Sequence, residues 1–127
     1  MDLRTIEIIT RFEQSWVETI ASYDDLIDNH GWVHLEPLRK YIAKLKQEGA
    51  DKYFRLGTSM HMLLISRSVN FGLRLDQKYI KIEVFNELPH EITLRDGDKI
   101  YRKYETDNLE DERLTRLLAT LKSTLVD

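Results

Sequence analysis

From Leu3 to about Asn29 the apolar residues Ile6, Ile9, Phe12, Trp16, Ile20, Tyr23 and Ile27 recur at steps of three or four. That spacing puts them on one face of an α-helix. Asp2 stands where a side-chain oxygen can cap the first amides, and Gly31 stands where a left-handed residue can end the helix. Leu3, Ile8 and Val17 fall outside the stripe, which predicts an apolar face wider than one neighbour needs. A second helix is expected from Pro37 to Gly49, with Leu38, Tyr41, Ile42 and Leu45 inward. The connection from His30 to Leu35 is short, so the two helices should form an antiparallel hairpin.

After Gly49 the period shortens to two. Tyr53 to Leu56 reads as a short strand that Gly57 stops. Ser59 to Ser66 reads as the next, with Met60, Met62 and Leu64 on one face and His61, Leu63 and Ile65 on the other. Apolar residues on both faces predict a central strand covered on both sides. Residues 67–72 read as a loop. Leu73 and Leu75 open a further strand, interrupted at Asp76-Gln77-Lys78 and resumed from Tyr79 to Phe85 with Ile80, Ile82 and Val84 inward. Beyond Pro89, His90 to Arg95 should pair with Lys99 to Glu105 through Asp96-Gly97. Apolar matching favours a three-residue loop reaching Asp98, which sets Leu94 opposite Ile100. A third helix is expected from Asn108 to Val126, started by Asp107 with Glu110 at capping-box spacing. Its stripe is Leu114, Leu117, Leu118, Leu121 and Leu125. This order predicts one α+β domain over residues 1–127: an N-terminal helical hairpin, an antiparallel sheet of four to five strands and a C-terminal helix.

Composition narrows function more than it points to one. A chain of 127 residues, 42% hydrophobic and 32% charged, is too apolar for disorder and too polar for a membrane-spanning protein. It has no cysteine, which removes thiol catalysis, iron–sulfur clusters and Cys-type zinc sites. Its N-terminal residues lack the pattern of a secretory signal, and no run approaches a membrane span. A soluble, cytoplasmic protein without a membrane partner is expected. The net charge of −3 gives no general pull toward nucleic acid. Residues 39–55 nevertheless hold six cations against two anions, and residues 105–112 hold five anions and no cation. Opposed patches of this kind suit a protein partner or a second copy better than nucleic acid.

His30 and His34 are four apart, with Asp28 nearby, but Gly31 between them breaks the helical spacing a metal site needs, so no metal is expected. His61 with Ser59 and Ser66 is an imidazole–hydroxyl grouping that nucleophilic catalysis can use, although no nucleophile elbow accompanies it. Asp24, Asp25 and Asp28 make an acidic end to the first helix, where the helix dipole disfavours them. Arg67, Asn70 and Arg74 give one loop the chemistry to hold a phosphate or carboxylate. The chain has no Walker loop, dinucleotide fingerprint, H-E-x-x-H helix, EF-hand loop or kinase signature, and no cofactor is expected. The residues favour a non-catalytic interaction module of the adaptor, inhibitor or immunity type. It would bind a protein partner or pair as a homodimer, with Ile8 and Val17 in the interface. The alternative is a small enzyme or ligand-binding protein with a cleft between helices and sheet near His61 and Arg67.

Overall fold

The computed structural model describes residues 2–69, 77–97 and 99–124. Helix α1 (Leu3–His30) is defined by its ends as much as by its stripe. The Asp2 side chain accepts the Thr5 amide proton at 2.7 Å, and Gly31 closes the helix at φ 73°. Phe12, Trp16, Tyr23 and Ile27 are buried along one face together with Ser15 and Thr19. Ile6, expected in the same stripe, is 46% exposed, because the packed part of the helix begins at Phe12. A short 3-10 turn at Val33–Leu35 leads into α2 (Glu36–Gln47), which has Pro37 in its first turn and buries Leu38, Tyr41, Ile42 and Leu45. Arg39 ties the two helices together, donating to Asp28 at 3.0 Å and to Asp24 at 3.3 Å while gripping Glu36 with two hydrogen bonds.

Five antiparallel strands follow in simple meander order: β1 (Arg55–Ser59), β2 (Met62–Ser66), β3 (Lys78–Glu83), β4 (His90–Asp96) and β5 (Lys99–Thr106). Cross-strand register stacks Leu56, Ile65, Ile80 and Leu94 in one row and Leu63, Ile82 and Ile92 in the next. These inner-face residues are buried in one hydrophobic core with the inward residues of α1, α2 and α3 (Glu112–Lys122). The result is an α+β fold with an N-terminal helical hairpin, a five-stranded antiparallel sheet and a C-terminal helix. At the β1 edge, α1 takes the place of a neighbouring strand. Trp16 Nε1 donates to the Phe54 carbonyl at 2.8 Å, and Ser15 Oγ accepts from the Leu56 amide at 3.0 Å.

The hairpin of β1 and β2 differs from the sequence reading. Gly57 lies inside β1, paired with Leu64, and Ser59 pairs with Met62, so the expected Ser59–Ser66 strand is split at Met60 and His61. Both turn residues have positive φ, 50° and 69°, the pattern of the tight hairpin turn whose twist matches that of the strands. β2 lies between β1 and β3, with its two faces unequally buried. Leu63 and Ile65 are fully buried, whereas Met62 and Leu64 are half-buried on a face they share with Lys81 and Lys103. That outer face is mixed: Ser66 and Thr93 are buried on it among the lysines, so the cover expected on both sides of β2 is partial on this one.

The second hairpin and α3 also depart in detail. Asp96 pairs with Lys99, and Gly97 leaves β4 at φ 64°. A bulge between Leu94 and Arg95 then sets Leu94 opposite Arg102 and Arg95 opposite Ile100. Apolar matching failed there because Arg102, on the inner side of β5, is exposed and needs no apolar partner. Helix α3 starts at Glu112 and is capped by Asp111 rather than Asp107. Thr106 Oγ1 donates to Asp111 at 2.9 Å and accepts from the Asn108 amide at 3.2 Å, so residues just before α3 form a turn. Helix α3 ends at Lys122 with Ser123 as its C-cap, short of the expected Val126; the expected strand opening at Leu73 and Leu75, and the stripe residue Leu125, lie outside the described residues.

Candidate functional site

His61 sits in the turn at one end of β2 and Ser66 at the other, roughly 15 Å apart by strand rise. Ser66 is buried, and its hydroxyl accepts from the Ser68 amide at 3.3 Å. Ser59 ends β1 beside the His61 turn and is exposed. The structure therefore brings His61 near Ser59 and leaves Ser66 out of reach. Arg67 donates from Nη1 to the Tyr53 carbonyl at 2.9 Å, and burial lowers its pKa. It ties the end of β2 to the chain entering β1. Asn70 and Arg74 lie outside the described residues.

The histidines do not converge on a metal. His30 Nε2 lies 3.4 Å from an Asp25 carboxylate oxygen, whereas His34 stacks on Trp32 with ring centres 5.8 Å apart. Among the described residues no three His, Asp or Glu side chains group closely enough to hold an ion. The acidic end of α1 is instead occupied by Arg39.

The Met60–His61 tip is strained and unusually apolar. Two non-glycine residues in the left-handed region cost on the order of 1 kcal/mol each. The Tyr23 hydroxyl donates to the His61 carbonyl at 3.0 Å, and Trp32 meets the His61 ring edge-on at 4.4 Å. Met60 is 86% exposed beside this cluster.

On α1, Ile8 is half-buried and Val17 is 54% exposed. They are nine residues apart, two and a half turns, so they project from opposite sides of the helix. Val17 aligns instead with Ile6, eleven residues and three turns away, with Leu3 adjacent at 85% exposure.

Between β5 and α3 lies a groove of about 540 Å³ lined by Arg102, Lys103, Tyr104, Arg113, Arg116 and Leu117. The Arg113 guanidinium lies over the Tyr104 ring at 4.2 Å, is held by Asp111 at 2.9 Å and donates to the Glu105 carbonyl at 3.1 Å. The Tyr104 hydroxyl is buried without a hydrogen-bond partner among the described residues, and burial pushes its pKa up to about 12. A second hollow of about 480 Å³ between α2 and the start of β4 mixes signs, with Lys40 and His90 beside Glu36, Asp107 and Glu110. Burial lowers the His90 pKa against the opposing pull of Asp107, and its Nδ1 accepts from the Phe85 amide at 3.4 Å.

Sequence reasoning did not single out the groove residues. The available signal was Arg113, Arg116 and Thr120 at helical spacing on one face of α3. It gains meaning only when that face is set beside Arg102 and Lys103. No helix among the described residues is long and apolar enough to cross a membrane. Comparison with protein-family models, with curated proteins and with solved structures finds no match to this chain.

Proposed function

We propose that the protein is a non-catalytic interaction module that pairs with a second copy of itself through the outward face of α1. The observation that carries this reading is the exposed line of Leu3, Ile6 and Val17, which spans about 21 Å of helix on the side away from the core. Leu3 and Val17 are equally far from Thr10, so an antiparallel two-fold pair centred there sets Leu3 of one copy against Val17 of the other. Closed two-fold pairs are the commonest soluble assembly, and such an arrangement removes apolar surface from water on both copies. Ile8, half-buried on the opposite flank, contributes to folding more than to this interface. The cysteine-free composition and the lack of a membrane-crossing helix among the described residues fit a cytoplasmic setting.

Light scattering on a size-exclusion column tests the proposal. The chain should run as a dimer at micromolar concentration, and Ile6→Glu with Val17→Glu should give a monomer of unchanged circular dichroism. A wild-type chain that stays monomeric to hundreds of micromolar overturns self-association. A double variant that stays dimeric moves the interface off α1.

A further inference from the structure

The two edges of the sheet are treated differently. At the β1 edge the Leu56 amide donates to Ser15 of α1, and Trp16 of α1 binds the Phe54 carbonyl just before the strand. At β5, β4 is the one strand paired with it among the described residues, so backbone groups on its outer side face no strand, although the Glu105 carbonyl near its end accepts from Arg113. The groove beside α3 touches three consecutive residues of β5, Arg102, Lys103 and Tyr104, so it meets the strand along its backbone as well as on one face. Its lining has four cations and no carboxylate.

We propose that this groove and the open edge of β5 take an acidic segment of a partner protein, laid in extended conformation as a sixth strand. Side chains at alternate positions of an added strand point to the same face, so carboxylates two residues apart face Arg102 and Arg116 together. Arg102 has no ion-pair partner among the described residues, and Arg116 is held by an exposed Glu112 at 3.3 Å. An exposed pair of that kind contributes little and exchanges readily for a better-placed carboxylate. Arg113 is already fixed over Tyr104 and presents a preordered charge at the middle of the groove.

The surroundings favour a peptide over a nucleic acid. The cationic stretch is short, and the acidic residues from Glu105 to Glu112 stand at its end. A phosphodiester chain running past the groove meets that acidic run, whereas a peptide with a few carboxylates stops before it. This site is separate from the α1 face, so either proposal can fail without the other.

The experiment is fluorescence anisotropy at low salt with a labelled Glu-Thr-Glu-Thr-Glu-Thr peptide. Its comparators are the Lys-Thr counterpart, a Glu-Thr version N-methylated at alternate amides, and an oligothymidylate. The Glu-Thr peptide should bind, and the Lys-Thr peptide should not. N-methylation, which keeps the charge and removes strand pairing, should weaken binding about ten-fold. Arg102→Glu with Arg116→Glu should weaken it at least about ten-fold, with circular dichroism reporting the fold. Arg102→Gln alone, at an exposed position, should act in the same direction. Equal binding of the methylated peptide, tighter binding of the oligothymidylate, or no binding of the Glu-Thr peptide at millimolar concentration each overturns the proposal.

Discussion

Ser15 on α1 accepts the amide proton of Leu56 on β1 at 3.0 Å, linking residues 41 positions apart in the chain. The same hydroxyl donates to the Phe12 carbonyl at 2.6 Å, which fixes its direction. Ser15→Ala leaves the Leu56 amide buried without a partner, and we expect a loss of about 1–3 kcal/mol. Urea melts measure it. A loss below about 0.5 kcal/mol would show that water replaces the hydroxyl at this edge.

Leu63 and Leu64 are neighbours with different burdens. Leu63 is fully buried opposite Ile82, while Leu64 is half-buried in the outer row between Gly57 and Lys81. Leu63→Ala should cost about 2–5 kcal/mol, and Leu64→Ala about 1 kcal/mol. Parallel denaturant melts of the two variants check the ordering, and equal losses would contradict the deeper burial of Leu63.

Met60 is well placed for a stabilising substitution. Its φ of 50° suits asparagine better than methionine, and its side chain is mostly in solvent. Met60→Asn should raise stability by up to about 1 kcal/mol. Thermal melts read the change. A loss instead would mean that the Met60 side chain contributes packing that offsets the backbone strain.

Asp111 makes the stability of the fold depend on acid. Its carboxylate accepts from the Arg113 guanidinium and from the Arg113 amide, with Thr106 adding a third bond, and these hold its pKa well below the ordinary range. A carboxyl whose pKa is lower in the folded state adds stability that is complete above its unfolded value, about 3.9. That stability is lost as the pH falls from there through the lowered value. Asp111→Asn should therefore flatten the acid limb of the stability curve below about pH 4 and lower the plateau at neutral pH. Melts across pH 2–7 make the comparison. An unchanged acid limb would assign the sensitivity to other carboxylates.

The periodic parts of the fold were legible because one physical cause dominated each. Phe12, Trp16, Tyr23 and Ile27 announce α1, and the Ile80–Ile82 alternation announces β3, since burial on one face sets both patterns. The turn at Met60 and His61 was hidden because neither residue is a turn former, and the contacts that stabilise it come from Tyr23 and Trp32, far away in sequence. The cap at Asp111 was hidden for a related reason: Asp107 with Glu110 has capping-box spacing that Asp111 with Leu114 lacks, and the bonds that select Asp111 come from Thr106 and Arg113. Of the candidate site, Val17 was readable as surplus apolar surface. Its alignment with Ile6 needed the buried limit of α1, and the β5 groove needed the bulge and the placement of α3.

The seal on β1 also has a direction in time. A ribosome releases the chain from its N-terminus, so Ser15 and Trp16 are made before Phe54 and Leu56. The cover for that edge is therefore already synthesised when the edge itself emerges. An exposed strand edge is a template for association with other nascent chains, and in this chain the gene order of the elements shortens the interval during which β1 can act as one.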